Sequence, residues 1–65
     1  MNTEKQYINE HEAAKMTGLS VSTLRMHRYL SKGLPYIKVG RSVRYDPERV
    51  QEYMQAREVV PGSQL

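Results

Sequence analysis

Apolar residues recur along this chain at helical and then strand spacing, with polar punctuation between the runs. The first run opens at Ile8. Asn9 is an N-cap, and Glu12 stands three residues on, as a capping box requires. Ile8 before the cap and Ala13 after it form a hydrophobic staple, so a first helix is expected over Glu10–Thr17. Ala13 and Ala14 are small enough for a second helix to approach closely, and Met16 lies one turn on from Ala13. Gly18 supplies the left-handed conformation that ends a helix. Only Gly18, Leu19 and Ser20 intervene before helical spacing resumes, which is the turn length of a helix-turn-helix. Leu19 should plug the angle between the helices.

Ser20 caps the second helix, expected from about Val21 to Leu30, with Thr23 at N3. With Leu24 set toward the core, a rotation of about 100° per residue puts His27 on the inner side. Ser22, Arg25, Met26 and Tyr29 then face outward, with Thr23 on a flank. The competing phase would bury Met26 and Tyr29. No acid stands at the start of this helix, where the dipole normally favours one. The positive end is left open to a phosphate.

Ser31, Lys32 and Gly33 end the helix, and Pro35 prevents its continuation. Tyr36 to Val39, then Gly40-Arg41-Ser42, then Val43 to Tyr45 read as a short β-hairpin. A three-residue loop pairs Val39 with Val43 and Ile37 with Tyr45 on one apolar face. It sets Lys38 opposite Arg44 on the other. That register keeps the alternation and is the one expected. Asp46 caps a last helix with Pro47 at N1 and Glu48 in the first turn. Tyr45 and Val50 repeat the staple. Val50, Tyr53, Met54 and Arg57 share one face. The organisation is thus one domain over residues 7–58, between a flexible N-terminus (1–6) and a flexible tail (59–65). The class is mainly α with a small β-hairpin.

With 65 residues the chain sits near the lower limit of independent folding, and its core must be thin. Cysteine is absent, which excludes disulfides and thiolate metal sites and suits a reducing cytoplasm. No apolar run approaches the roughly 20 residues a membrane helix needs, and the polar start MNTEKQ is not a secretory signal. The net charge of +3 conceals a strong asymmetry. Arg25, Arg28, Lys32, Lys38, Arg41 and Arg44 all lie between Leu19 and Tyr45, and every acid lies outside that stretch. A block of this kind repels itself unless an anionic partner neutralises it. Tied to a helix start and a hairpin, it points to nucleic acid. Met26 and Tyr29 beside Arg25 make a reading surface, where arginine can pair with guanine and methionine can touch a thymine methyl.

Catalytic and metal chemistry find no support. His11 and His27 are the only histidines, far apart and without thiol partners, so neither a metal nor another cofactor is expected. Tyr29 lacks the converging arginines and histidines that a recombinase nucleophile needs, and reads as a contact or packing residue. No Gly-rich phosphate loop and no Ser-His-Asp arrangement is present, so the chain is read as non-enzymatic.

The run Glu12-Ala13-Ala14, then Gly18 through Arg25, then Pro35 through Arg41 and Val43-Arg44-Tyr45, resembles the excisionase and MerR-like winged helix-turn-helix family. That family includes small AlpA-like regulators of phages and mobile elements. The resemblance spans about Tyr7 to Ala56. Members often carry an aromatic pair where this chain has Met26-His27. The resemblance implies that the second helix enters the major groove while the hairpin wing lies on an adjacent minor groove or phosphate backbone. The expected contacts to double-stranded DNA are Ser20, Val21, Ser22, Thr23, Arg25, Met26, Arg28, Tyr29, Lys32, Lys38, Arg41, Ser42 and Arg44. Three functions compete. The first is an excisionase that bends attachment-site DNA beside copies of itself and recruits an integrase. The second is a transcriptional regulator of a mobile element. The third is a protein-docking module that uses Met26, Tyr29 and the tail.

Overall fold

Each helix begins on the cap expected of it. The computed structural model describes residues 6–62; residues 1–5 and 63–65, in the two terminal segments expected to be flexible, lie outside them. Helix α1 spans Glu10–Thr17. The Asn9 side chain accepts from the Glu12 N–H at 2.9 Å, and Glu12 Oε1 accepts from the Asn9 N–H at 3.0 Å. Both members of the capping box are therefore satisfied. Gly18 ends the helix at φ 79°, its N–H on the Ala14 carbonyl. Thr17 then stiffens the turn. Its hydroxyl donates to the Ala13 carbonyl at 2.9 Å and accepts from the Leu19 N–H at 3.2 Å. Ser20 Oγ accepts from the Thr23 N–H at 3.0 Å and starts α2, Val21–Tyr29.

The end of α2 carries a cost that the sequence does not announce. The Lys32 N–H bonds the His27 carbonyl at 2.8 Å, and the Ser31 N–H bonds the Arg28 carbonyl at 3.1 Å. These are the two bonds of a Schellman motif, which calls for a left-handed residue at Ser31. Ser31 indeed sits at φ 56°, among the described residues the one non-glycine with positive φ. A side chain there costs roughly 1 kcal/mol. Ser31→Gly is expected to raise stability by up to about 1 kcal/mol, and a melting curve checks it. A lower melting temperature would show that the serine side chain stabilises the turn.

The hairpin departs from the expected register. Strand β1 is Ile37–Val39 and β2 is Ser42–Arg44, paired Ile37 with Arg44, Lys38 with Val43 and Val39 with Ser42. The loop is therefore the two residues Gly40-Arg41, not three. Gly40 at φ 59° followed by Arg41 at negative φ has the sign pattern of a type II′ turn, whose twist matches that of the strands. The apolar-face argument failed because the hairpin stands largely clear of the core. All of β1 is exposed, and only Val43 is half-buried. Turn geometry decided the register instead. Tyr45 does not pair with Ile37. Its backbone bridges Ile8, with bonds of 2.9 and 2.7 Å, while its ring enters the core. Lys38 and Arg44 consequently lie on opposite faces of the ribbon rather than opposed.

Asp46 caps α3, Pro47–Ala56, accepting from the Glu48 N–H at 3.0 Å, with proline in the first turn. The core is Ala13, Leu24, Leu34, Tyr45 and Val50, with Ile8, Ala14, Leu19, Val43 and Tyr53 packed around it. Helix α1 packs against both α2 and α3, and Ala13 is the small residue that permits this. Met16 and Met54 stay exposed at the rim of a groove against Val50. Arg57 folds back with its guanidinium 3.5 Å from the Tyr53 ring centroid. The product is a helix-turn-helix with a two-stranded wing.

Candidate nucleic-acid interface

Helix α2 turns the face that the periodicity assigned to it. Leu24 is buried, His27 is half-buried and lies inward, and Met26 and Tyr29 are 57% and 86% exposed. An α2 packed only through Leu24 and its neighbours leaves this face to solvent. Ser20, Ser22 and Arg25 are exposed with it, and Val21 and Thr23 are half-buried at the flank. Lys32 stands exposed beyond the helix end, and Lys38, Arg41, Ser42 and Arg44 are exposed on the wing. Gly33 packs under His27. At φ 87°, a Cβ there would lie 2.6 Å from His27 Nδ1, so this position admits only glycine without rearrangement.

Two open grooves run between α2 and the wing. One, of about 510 Å³, is lined by Arg25, Arg28, Tyr29, Tyr36, Lys38, Arg41 and Val43. The other, of about 460 Å³, lies on the α1 side of the same arginines and is lined by Asn9, Glu10, His11 and Arg41 to Arg44. The opposed faces of the ribbon explain the division, with Lys38 lining the first and Arg44 the second.

The arginines of α2 are not equivalent. Arg28 turns inward, its side chain 17% exposed. Its Nη1 donates to the Tyr45 hydroxyl at 2.6 Å and its Nη2 to Glu10 Oε1 at 3.0 Å. Its guanidinium lies 5.8 Å from the Tyr36 ring centroid, and Tyr36 meets Tyr45 at 6.4 Å between centroids. Arg25 stays 61% exposed but also reaches Glu10, with Nε to Oε1 at 3.2 Å and Nη2 to Oε2 at 2.5 Å. Hydrogen bonding to Arg25 chiefly, with help from Arg28 and against partial burial, lowers the Glu10 carboxyl from 4.5 to about 2. Glu10 is thus ionised at any ordinary pH.

Arg28 therefore belongs to the frame of the site as the molecule stands, whereas Arg25, Lys32, Lys38, Arg41 and Arg44 form its open basic surface. Sequence reasoning missed Glu10, Tyr36 and the Tyr45 hydroxyl. Glu10 lies 15 residues from Arg25, and an acid in the first turn of a helix is accounted for by the helix dipole alone. No local spacing signals such a pair. Among the described residues, no cluster of three or more His, Cys, Asp or Glu could hold a metal, and no helix is long and apolar enough to cross a membrane.

A family model described as a helix-turn-helix domain matches residues 8–58. Comparison with curated proteins and with solved structures returns no match.

Proposed function

Because this chain belongs to the helix-turn-helix domain family, we propose that it binds double-stranded DNA sequence-specifically, with α2 in the major groove and the wing on neighbouring phosphates. The observation that carries this reading is the continuity of one surface. The outward face of α2 and the basic wing flank the same two grooves, with Arg25 between them. A helix of this diameter fits the major groove, and cations on both sides of it suit the phosphates that border the groove. Tyr29 and Met26 add flat and flexible apolar contact where base edges and thymine methyls are offered.

The finer role we propose is that of an excisionase, assisting an integrase at the ends of a mobile element. The quoted resemblance from Glu12 to Tyr45 supports it. Regulation of transcription by the same surface is the alternative, and footprinting on an integrase attachment site against a promoter separates the two.

Arg25→Ala tests the DNA reading itself. It is expected to weaken binding to the selected site by about 1–3 kcal/mol and to affect random duplex much less. Equal losses on both would reduce Arg25 to a phosphate contact. No measurable binding by the unaltered protein to any duplex would leave the Met26 and Tyr29 surface to a protein partner.

A further inference from the structure

Resting on that DNA-binding reading, we infer that Glu10, on α1 and outside the helix expected to read the DNA, is a specificity-determining residue that turns Arg25 from a phosphate clamp into a guanine reader. A guanidinium has two edges that can form a pair of parallel hydrogen bonds, one through Nε and Nη2, the other through Nη1 and Nη2. Glu10 occupies the first, through contacts of 3.2 and 2.5 Å. On the second edge, Nη1 and the other hydrogen of Nη2 have no acceptor among the described residues, and the side chain that carries them is 61% exposed. This second edge is the one that pairs with O6 and N7 of guanine in the major groove.

Glu10 can hold this orientation because it is itself held. Arg28 Nη2 grips Oε1 from the other side at 3.0 Å, and Arg28 is tied to the Tyr45 hydroxyl at 2.6 Å. Tyr45 is a core residue, so the orientation of Arg25 is transmitted from the core through two ionic contacts. Electrostatics work in the same direction. The Glu10 carboxylate partly cancels the attraction of Arg25 for a phosphate, and it costs the neutral acceptors of guanine less. The pair therefore weakens non-specific binding and favours a site with guanine at one position.

The test starts from a duplex selected from random sequence by the full chain, with each guanine replaced in turn by 7-deazaguanine, which lacks the N7 acceptor. The unaltered protein is expected to show one guanine at which affinity falls about 5- to 150-fold. Arg25→Ala should abolish that penalty. Glu10→Gln should cut it to less than about threefold, raise affinity for random duplex, and steepen the salt slope by about 0.9. Glu10→Asp keeps the charge beside Arg28, and with it the fold, but draws the carboxylate back by one methylene. It should also reduce the penalty, with the melting temperature near that of the parent. A guanine penalty that persists undiminished in both Glu10 variants overturns the inference and leaves DNA binding intact. So does specific binding with no guanine penalty that depends on Arg25. Absence of any salt-dependent duplex binding by the parent instead overturns the reading on which it rests.

Discussion

Leu24→Ala is expected to lose about 2–5 kcal/mol of folding stability and to leave much of the protein unfolded near 37 °C. Leu24 is 1% exposed and lies in a core of five buried residues. Truncation removes its transfer free energy and leaves a cavity in a core too small to close around it. A chain of this size has only about 3–10 kcal/mol of total stability, so the loss is a large share of the whole. Met26→Ala, two positions on, should change stability by less than about 0.5 kcal/mol, because Met26 is 57% exposed. Any effect of Met26→Ala should instead appear in the DNA titration. Paired melting curves check the contrast. A Leu24→Ala variant that melts with the parent, or a Met26→Ala variant that melts far below it, would reverse the phase of α2. The outward reading face would then be lost.

Binding to duplex DNA is expected to weaken about 100- to 200-fold between roughly 50 and 200 mM salt. Lys32, Lys38, Arg41 and Arg44 are exposed and have no acidic partner among the described residues. Four phosphates neutralised would give a log–log slope of about −3.6. Arg28 is folded onto Tyr45 and Glu10, and Arg25 is bonded to Glu10, so neither is counted as a phosphate contact, although the three groups together keep one net positive charge. Arg41→Ala, at the hairpin tip, should flatten the slope by about 0.9 and leave the melting temperature unchanged. Arg57→Ala, at the C-terminal end of α3 against Tyr53, should leave the slope as it was. Titrations at several salt concentrations decide the matter. A slope near zero removes the wing from the DNA interface.

Local chemistry was legible in the sequence. Asn9, Ser20 and Asp46 cap the three helices because a side-chain oxygen within reach of the next turn's N–H groups is a purely local arrangement. Gly18 ends α1 for the same kind of reason. The phase of α2 was legible too, since one strongly apolar residue, Leu24, is enough to orient a short helix. The division of charge, basic from Leu19 to Tyr45 and acidic elsewhere, needed no fold at all.

Only the tertiary structure decided the rest, and in each case the deciding partner is distant in sequence or the choice is a small energetic difference. The hairpin register turned on turn geometry at Gly40-Arg41, which outweighed apolar pairing once the wing projected from the core. Ser31 took a left-handed conformation because two carbonyls of α2 required it, against its own preference. Leu34, in a stretch read as a helix end, is a core residue because the chain folds back beneath α2. Arg28 and Arg25 were alike as sequence. One became frame and the other an oriented donor, because the angle between α1 and α2 carries Glu10 to both of them, and an ion pair across 15 to 18 residues leaves no periodic trace.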